Sequence, residues 1–196
     1  MKFKTARQAW HDSMASVAPS PIARAAEIAR LGADVQMTRA FNSTDRAAHM
    51  AQAGKVLVAI GTLPQECQDV GNWLYAPLST VEQDELSESV HNAIWVKSGL
   101  CQDTPKRYKD CTYWMTRAVM RDYQDLVLGR RMRLQTPQAI RGWLADWHGI
   151  DIDTRYWSRT YRLSWRRLWC ALDDLDAQAL APVAAVVRRE IEAETV

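Results

Sequence analysis

The apolar residues of this chain recur three and four positions apart, and no stretch alternates with period two between hairpin turns. Helices, not sheets, must therefore supply the core. Helix punctuation is frequent. Ser20-Pro21, Thr104-Pro105 and Thr136-Pro137 each place a capping hydroxyl before a proline at the first helical position. Ser79-Thr80-Val81-Glu82 fits a capping box, and Gly99 and Gly149 fall where helices should stop. The pattern predicts an all-α, multi-helix fold. Its helices cover about 3–17, 21–31, 43–60, 64–75, 80–98, 105–128, 137–148, 154–175 and 178–194.

At 196 residues the chain is one domain or two small ones. No apolar run approaches the roughly 18 residues that span a bilayer, and Met1 to Trp10 is not followed by the apolar stretch of a signal peptide. A cytoplasmic protein without membrane contact is expected. None of Cys67, Cys101, Cys111 and Cys170 forms a Cys-x-x-Cys pair, so they read as packing residues and no metal site is expected. The four histidines are scattered, no glycine-rich loop fits a phosphate, and no nucleophile signature is present. No catalytic residue and no cofactor are expected, and the chain reads as a non-enzyme. Asp173, Asp174 and Asp176 read as a solvated helix end. Gly54 to Tyr75 reads as core. Nine Trp against two Phe point to an aromatic core, a partner surface, or both, with Trp95 and Trp114 as candidate anchors.

Net charge is only +2, but it is unevenly placed. Lys106 to Trp169 holds 14 Lys/Arg and 6 Asp/Glu, whereas the rest holds 11 and 17. A basic block in a near-neutral chain points to nucleic acid or, more blandly, to a solvated cationic face. Within it, Ile140, Trp143, Leu144 and Trp147 make one apolar stripe on a helix that Gly149 ends, and Asp153 is positioned to cap the next. At 100° per residue, Trp157, Tyr161, Ser164, Trp165, Leu168, Leu172 and Leu175 share one sector of that second helix. Arg155, Arg159, Arg162 and Arg166 share a narrow sector nearly opposite. Arginine's planar fork suits phosphates and guanine edges. Thr154 and Ser158 add hydroxyls at the helix start. The pair is similar to a helix-turn-helix whose second helix enters the major groove, with Trp157, Tyr161 and Trp165 anchoring it to the first. An αα-hairpin with arginines facing water is the alternative. Arg130, Arg131 and Arg133 form a second cluster that could clamp a phosphate backbone or simply end a helix in solvent.

Trp157-Ser158-Arg159-Thr160, in a basic helix running on to Ala171-Leu172, resembles the C-terminal part of the Q-type late antitermination proteins of lambdoid phages. Leu57 to Pro64, with Trp73 to Pro77, looks like their AlpA-like prophage relatives. The resemblance implies a transcription antitermination factor that binds double-stranded DNA near a promoter and loads onto bacterial RNA polymerase. It would then suppress terminators by narrowing the exit channel of the nascent RNA. Family members with a zinc loop build it on paired Cys-x-x-Cys motifs, which this chain lacks. The expected division is a helical region 1–104 for polymerase or protein contacts, where Glu82, Asp84, Glu85 and Glu88 form an acidic patch. A DNA-binding region 105–196 follows. The competing readings are a promoter-bound helix-turn-helix regulator and a helical phage inhibitor of a host protein.

Overall fold

The computed structural model describes residues 3–17 and 43–193. The helix expected over 21–31 and the Ser20-Pro21 cap lie outside them. The fold is all-α, with nine α-helices, one 3-10 turn and no strand among the described residues. The order is α1 (Ala6–Val17), α2 (Ser43–Gly61), α3 (Gln65–Tyr75), α4 (Thr80–Lys97), α5 (Leu100–Asp103), α6 (Lys106–Val127) and α7 (Pro137–His148). A 3-10 turn (Thr154–Tyr156), α8 (Trp157–Thr160) and α9 (Arg162–Ala193) follow.

The chain forms two compact units. One holds residues 1–63, 75–77 and 180–196. There α1 packs on α2, burying Ala9, Trp10, Ala53, Val56 and Ile60. The Tyr75 ring lies 6.2 Å from that of Trp10, and its carbonyl meets His11 Nδ1 at 2.9 Å. Lys55 pairs with Glu190 at 2.6 Å. The other unit, 64–74 and 78–179, carries the basic block. Its α4 packs on both α5 and α6, and α6 packs on α7. Helix packing therefore crosses the seam expected near 104, which does not part the two units.

The caps explain most boundaries. Ser79 and Glu82 form the reciprocal capping box of α4, and Thr136 Oγ1 accepts the Ala139 amide at the start of α7. Thr104 departs from expectation. Pro105 takes the N-cap place of α6, and the buried Thr104 hydroxyl has no hydrogen-bond partner. Gly99, Gly129 and Gly149 all have positive φ, the left-handed conformation that ends helices.

Two boundaries also differ. The helix expected over 154–175 is broken at Tyr161, whose φ of −117° lies off the helical value. The break expected after Leu175 is absent. Ala177, Ala179, Ala181, Ala184 and Ala185 favour helix strongly, and buried positions keep helical spacing from Leu168 through Leu172, Leu175, Ala179 and Val183 to Val187. This continuity carries α9 through Pro182 despite the backbone hydrogen bond that a proline forfeits. Asp173, Asp174 and Asp176 are therefore mid-helix, not a solvated end. Asp176 is buried, and the Tyr123 hydroxyl donates to it at 2.9 Å and to Asp173 at 3.1 Å.

Candidate nucleic-acid interface

The candidate surface is built in the unit that contains residues 78–179, on α6, α7 and the segment 149–166. The end of α6 comes first. Gly129 adopts φ +67°, its amide reaches the Leu126 carbonyl at 3.0 Å, and the Arg130 amide reaches the Asp125 carbonyl at 2.7 Å. This double closure is a Schellman motif. Three residues on, the buried Asp122 carboxylate accepts the backbone amides of Arg133 and Leu134, both at 2.9 Å, and Leu134 is buried. The loop is thus fastened at both ends, while Arg130, Arg131 and Arg133 are exposed between them.

After α7, Gly149 turns the chain with φ +66°. Asp153 caps the 3-10 turn by accepting the Arg155 amide at 3.0 Å. The two carboxylates here are both engaged. Arg141 grips Asp151 with two bonds, at 2.6 and 3.1 Å, and Arg155 grips Asp153 at 2.8 Å. The bonds from Arg155 hold the Asp153 carboxyl down at about 2. Arg155 is thus exposed but already bound to a carboxylate, which sets it apart from the other stripe arginines. Arg159, Arg162 and Arg166 are exposed and have no ion pair among the described residues. Thr154 is half-buried in the 3-10 turn and Ser158 is exposed on α8.

The apolar side is rearranged relative to the expected pair. Tyr161 is buried, but it meets α6: its ring lies 5.8 Å from that of Tyr108, edge to face. Burial, with Cys111 beside it, pushes this phenol up to about 12. Trp157 packs against Tyr161 and Trp165, at 5.8 and 6.2 Å between rings. Along α7, Ile140 and Leu144 are buried, whereas Trp147 is 73% exposed and leaves the stripe assigned to it. Tyr156 is 62% exposed and Leu163 69%. Trp95 is buried and Trp114 is half-buried, stacked on His148 at 4.5 Å, so neither forms an open anchor. Of the cysteines expected to pack, Cys67 is buried and Cys170 is exposed.

Comparison with protein-family models, with curated proteins and with solved structures finds no match. The surface must therefore be read from its own chemistry. No three His, Cys, Asp or Glu side chains converge on a possible metal position among the described residues, and no described helix is long and apolar enough to cross a membrane. Sequence reasoning missed Asp122, Trp147 as an outward ring, and Tyr156. A buried aspartate just inside a helix end, followed by glycine and a basic run, is a signal that could have found the first. The two rings gave no such signal, because an aromatic at helical spacing ordinarily reads as core.

Proposed function

We propose that this chain binds nucleic acid through the exposed arginines of residues 130–166 and acts as a transcription antitermination factor on bacterial RNA polymerase. It makes and breaks no bond itself. One observation carries the binding half of the reading. Arg159, Arg162 and Arg166 have no carboxylate partner among the described residues, while Asp151 and Asp153 beside them are already taken by Arg141 and Arg155. Exposed guanidinium groups left uncompensated on one segment attract a polyanion and can fork onto phosphate or base edges. Arg130, Arg131 and Arg133 extend the cationic surface on a loop whose backbone is fixed, which suits phosphate contacts.

The antitermination half rests on the likeness of Trp157-Ser158-Arg159-Thr160 and its basic surroundings to the Q-type proteins. In this reading the exposed acidic side chains of α4, Glu82, Asp84, Glu85 and Glu88, meet a basic surface on the polymerase, since like charge repels a phosphate backbone. In vitro transcription through a terminator, on template carrying the native upstream DNA, tests the function directly. Readthrough should rise when the protein is added. Reversing charge at Glu85 and Glu88 should lower readthrough while DNA affinity stays nearly intact. Tight DNA binding with no readthrough at any terminator would favour a promoter-bound regulator instead.

A further inference from the structure

Trp147 and Tyr156 do not fit a purely duplex-gripping surface. A Trp and a Tyr with more than 60% of their area in solvent are costly to leave uncovered on a stable helix and a capped turn. Both belong to elements that pack together, α7 and the 3-10 turn, and both precede the unpaired arginines in sequence. The segment that carries them is cationic. Asp151 and Asp153 are taken by Arg141 and Arg155, and the exposed Asp146 beside Trp147 is outnumbered by Arg159, Arg162 and Arg166, so the segment 141–166 stays net positive. Helix geometry adds a second point. The stripe expected on one recognition helix is split between two: α8 has four residues and ends in the kink at Tyr161, and Arg162 and Arg166 stand on α9. Arg159 therefore stands on a short turn, not on a long recognition helix.

We infer that Trp147 and Tyr156 form a stacking platform for unpaired bases, so that the ligand of this surface is a single-stranded nucleic acid whose phosphates lie on Arg159, Arg162 and Arg166. Aromatic rings on a basic surface bind single strands because every base has a π-face, and the arginines follow the backbone. The charge excludes a basic partner and disfavours a neutral one, which leaves a polyanion that carries flat rings. The inference rests on the nucleic-acid reading above and narrows it.

The test uses fluorescence anisotropy of the full-length protein with labelled 12-nucleotide probes: oligo-U, oligo-dT, a duplex, and an abasic strand of the same length. The abasic strand keeps the phosphates and lacks the bases. Oligo-U or oligo-dT should bind more tightly than the abasic strand. Trp147→Ala with Tyr156→Ala should cost at least about fivefold per ring on base-bearing strands and leave abasic binding unchanged. Trp147→Phe with Tyr156→Phe should restore most of the loss. Arg159→Ala with Arg162→Ala should weaken all four probes. Because both rings are exposed, the variants should keep the circular dichroism of the parent. Equal binding of abasic and base-bearing strands, or an unchanged ring variant, overturns the platform while duplex binding keeps the broader reading. Failure to bind any probe overturns both. A ring variant that loses readthrough yet keeps full oligonucleotide affinity assigns the rings to a protein partner and overturns the platform.

Discussion

Asp122 shows how one side chain can set the position of several others. It is 2% exposed, and its Oδ1 accepts two consecutive amides from the start of the segment that leads into α7. Asp122→Ala leaves those amides without an acceptor and should cost about 1–3 kcal/mol of stability, read as a lower urea midpoint. Asp122→Asn keeps a carbonyl oxygen and should lose less. Such a residue is hard to see in a sequence, because a helical aspartate ordinarily faces water and its partners lie eleven and twelve positions on. His91 is a second example. It is 1% exposed, its Nε2 lies 2.9 Å from the Tyr113 carbonyl and so carries the hydrogen, and its Nδ1 is buried without a partner. Burial, and then Arg117 and His148, hold its pKa below the ordinary imidazole value, with the Tyr113 carbonyl and Glu88 opposing. Burial and Arg117 lower His148 in the same way. The unfolded chain therefore binds more protons than the folded one as pH falls through about 6.5, so stability present above that pH is lost below it. The urea midpoint should drop between pH 7.5 and 5.5, and it should drop less in His91→Gln. An equal drop in both would place the acid sensitivity elsewhere.

Helix ends were the most legible elements, because caps are local chemistry. The Ser79–Glu82 box, Thr136 before Pro137, Asp153 and the turn at Gly149 all stand where the sequence places them. The interior of the segment 154–193 was not legible. A constant 100° per residue cannot register a single departure at Tyr161, whose ring packs against Tyr108 of α6. Nor does the pattern announce that the helices expected over 154–175 and 178–194 join without a break after Leu175. Trp147 was misassigned for a related reason, since period alone cannot tell a covered position from one at the margin of the stripe. The α4–α5 junction permits a direct test. Gly99 has φ +69°, and a Cβ there would stand 2.7 Å from Arg167 Nη2. That guanidinium is not idle: it donates to the Ser98 carbonyl at 2.9 Å and to Asp103 at 2.8 Å. Gly99→Ala should destabilise by about 1–2 kcal/mol from the left-handed backbone alone. Displacing Arg167 adds to that. In an Arg167→Ala background the steric part should vanish, so the two changes should be less than additive in a double-mutant cycle.

At the scale of the whole molecule, a formal charge of +2 conceals a surface that should behave as a polycation. The acidic residues lie mostly outside 106–169, and several within it are buried or paired, such as Asp122, Asp151 and Asp153. Binding should then depend on salt far more steeply than net charge suggests. If Arg130, Arg131, Arg133, Arg159, Arg162 and Arg166 all neutralise phosphates, a plot of log affinity against log salt should have a slope of about −4 on a single strand. Replacing Arg130, Arg131 and Arg133 by Ala should make that slope shallower by about 2, because three counterions fewer are released. The loss should be the same for probes of different base sequence, since phosphate contacts carry no sequence information. Anisotropy titrations from 50 to 200 mM salt measure it. An unchanged slope in the triple variant would remove the loop from the footprint and confine binding to the segment 141–166. A shallower slope with unchanged preference for base-bearing over abasic strands would separate the two roles, with the loop supplying charge and the exposed rings supplying stacking.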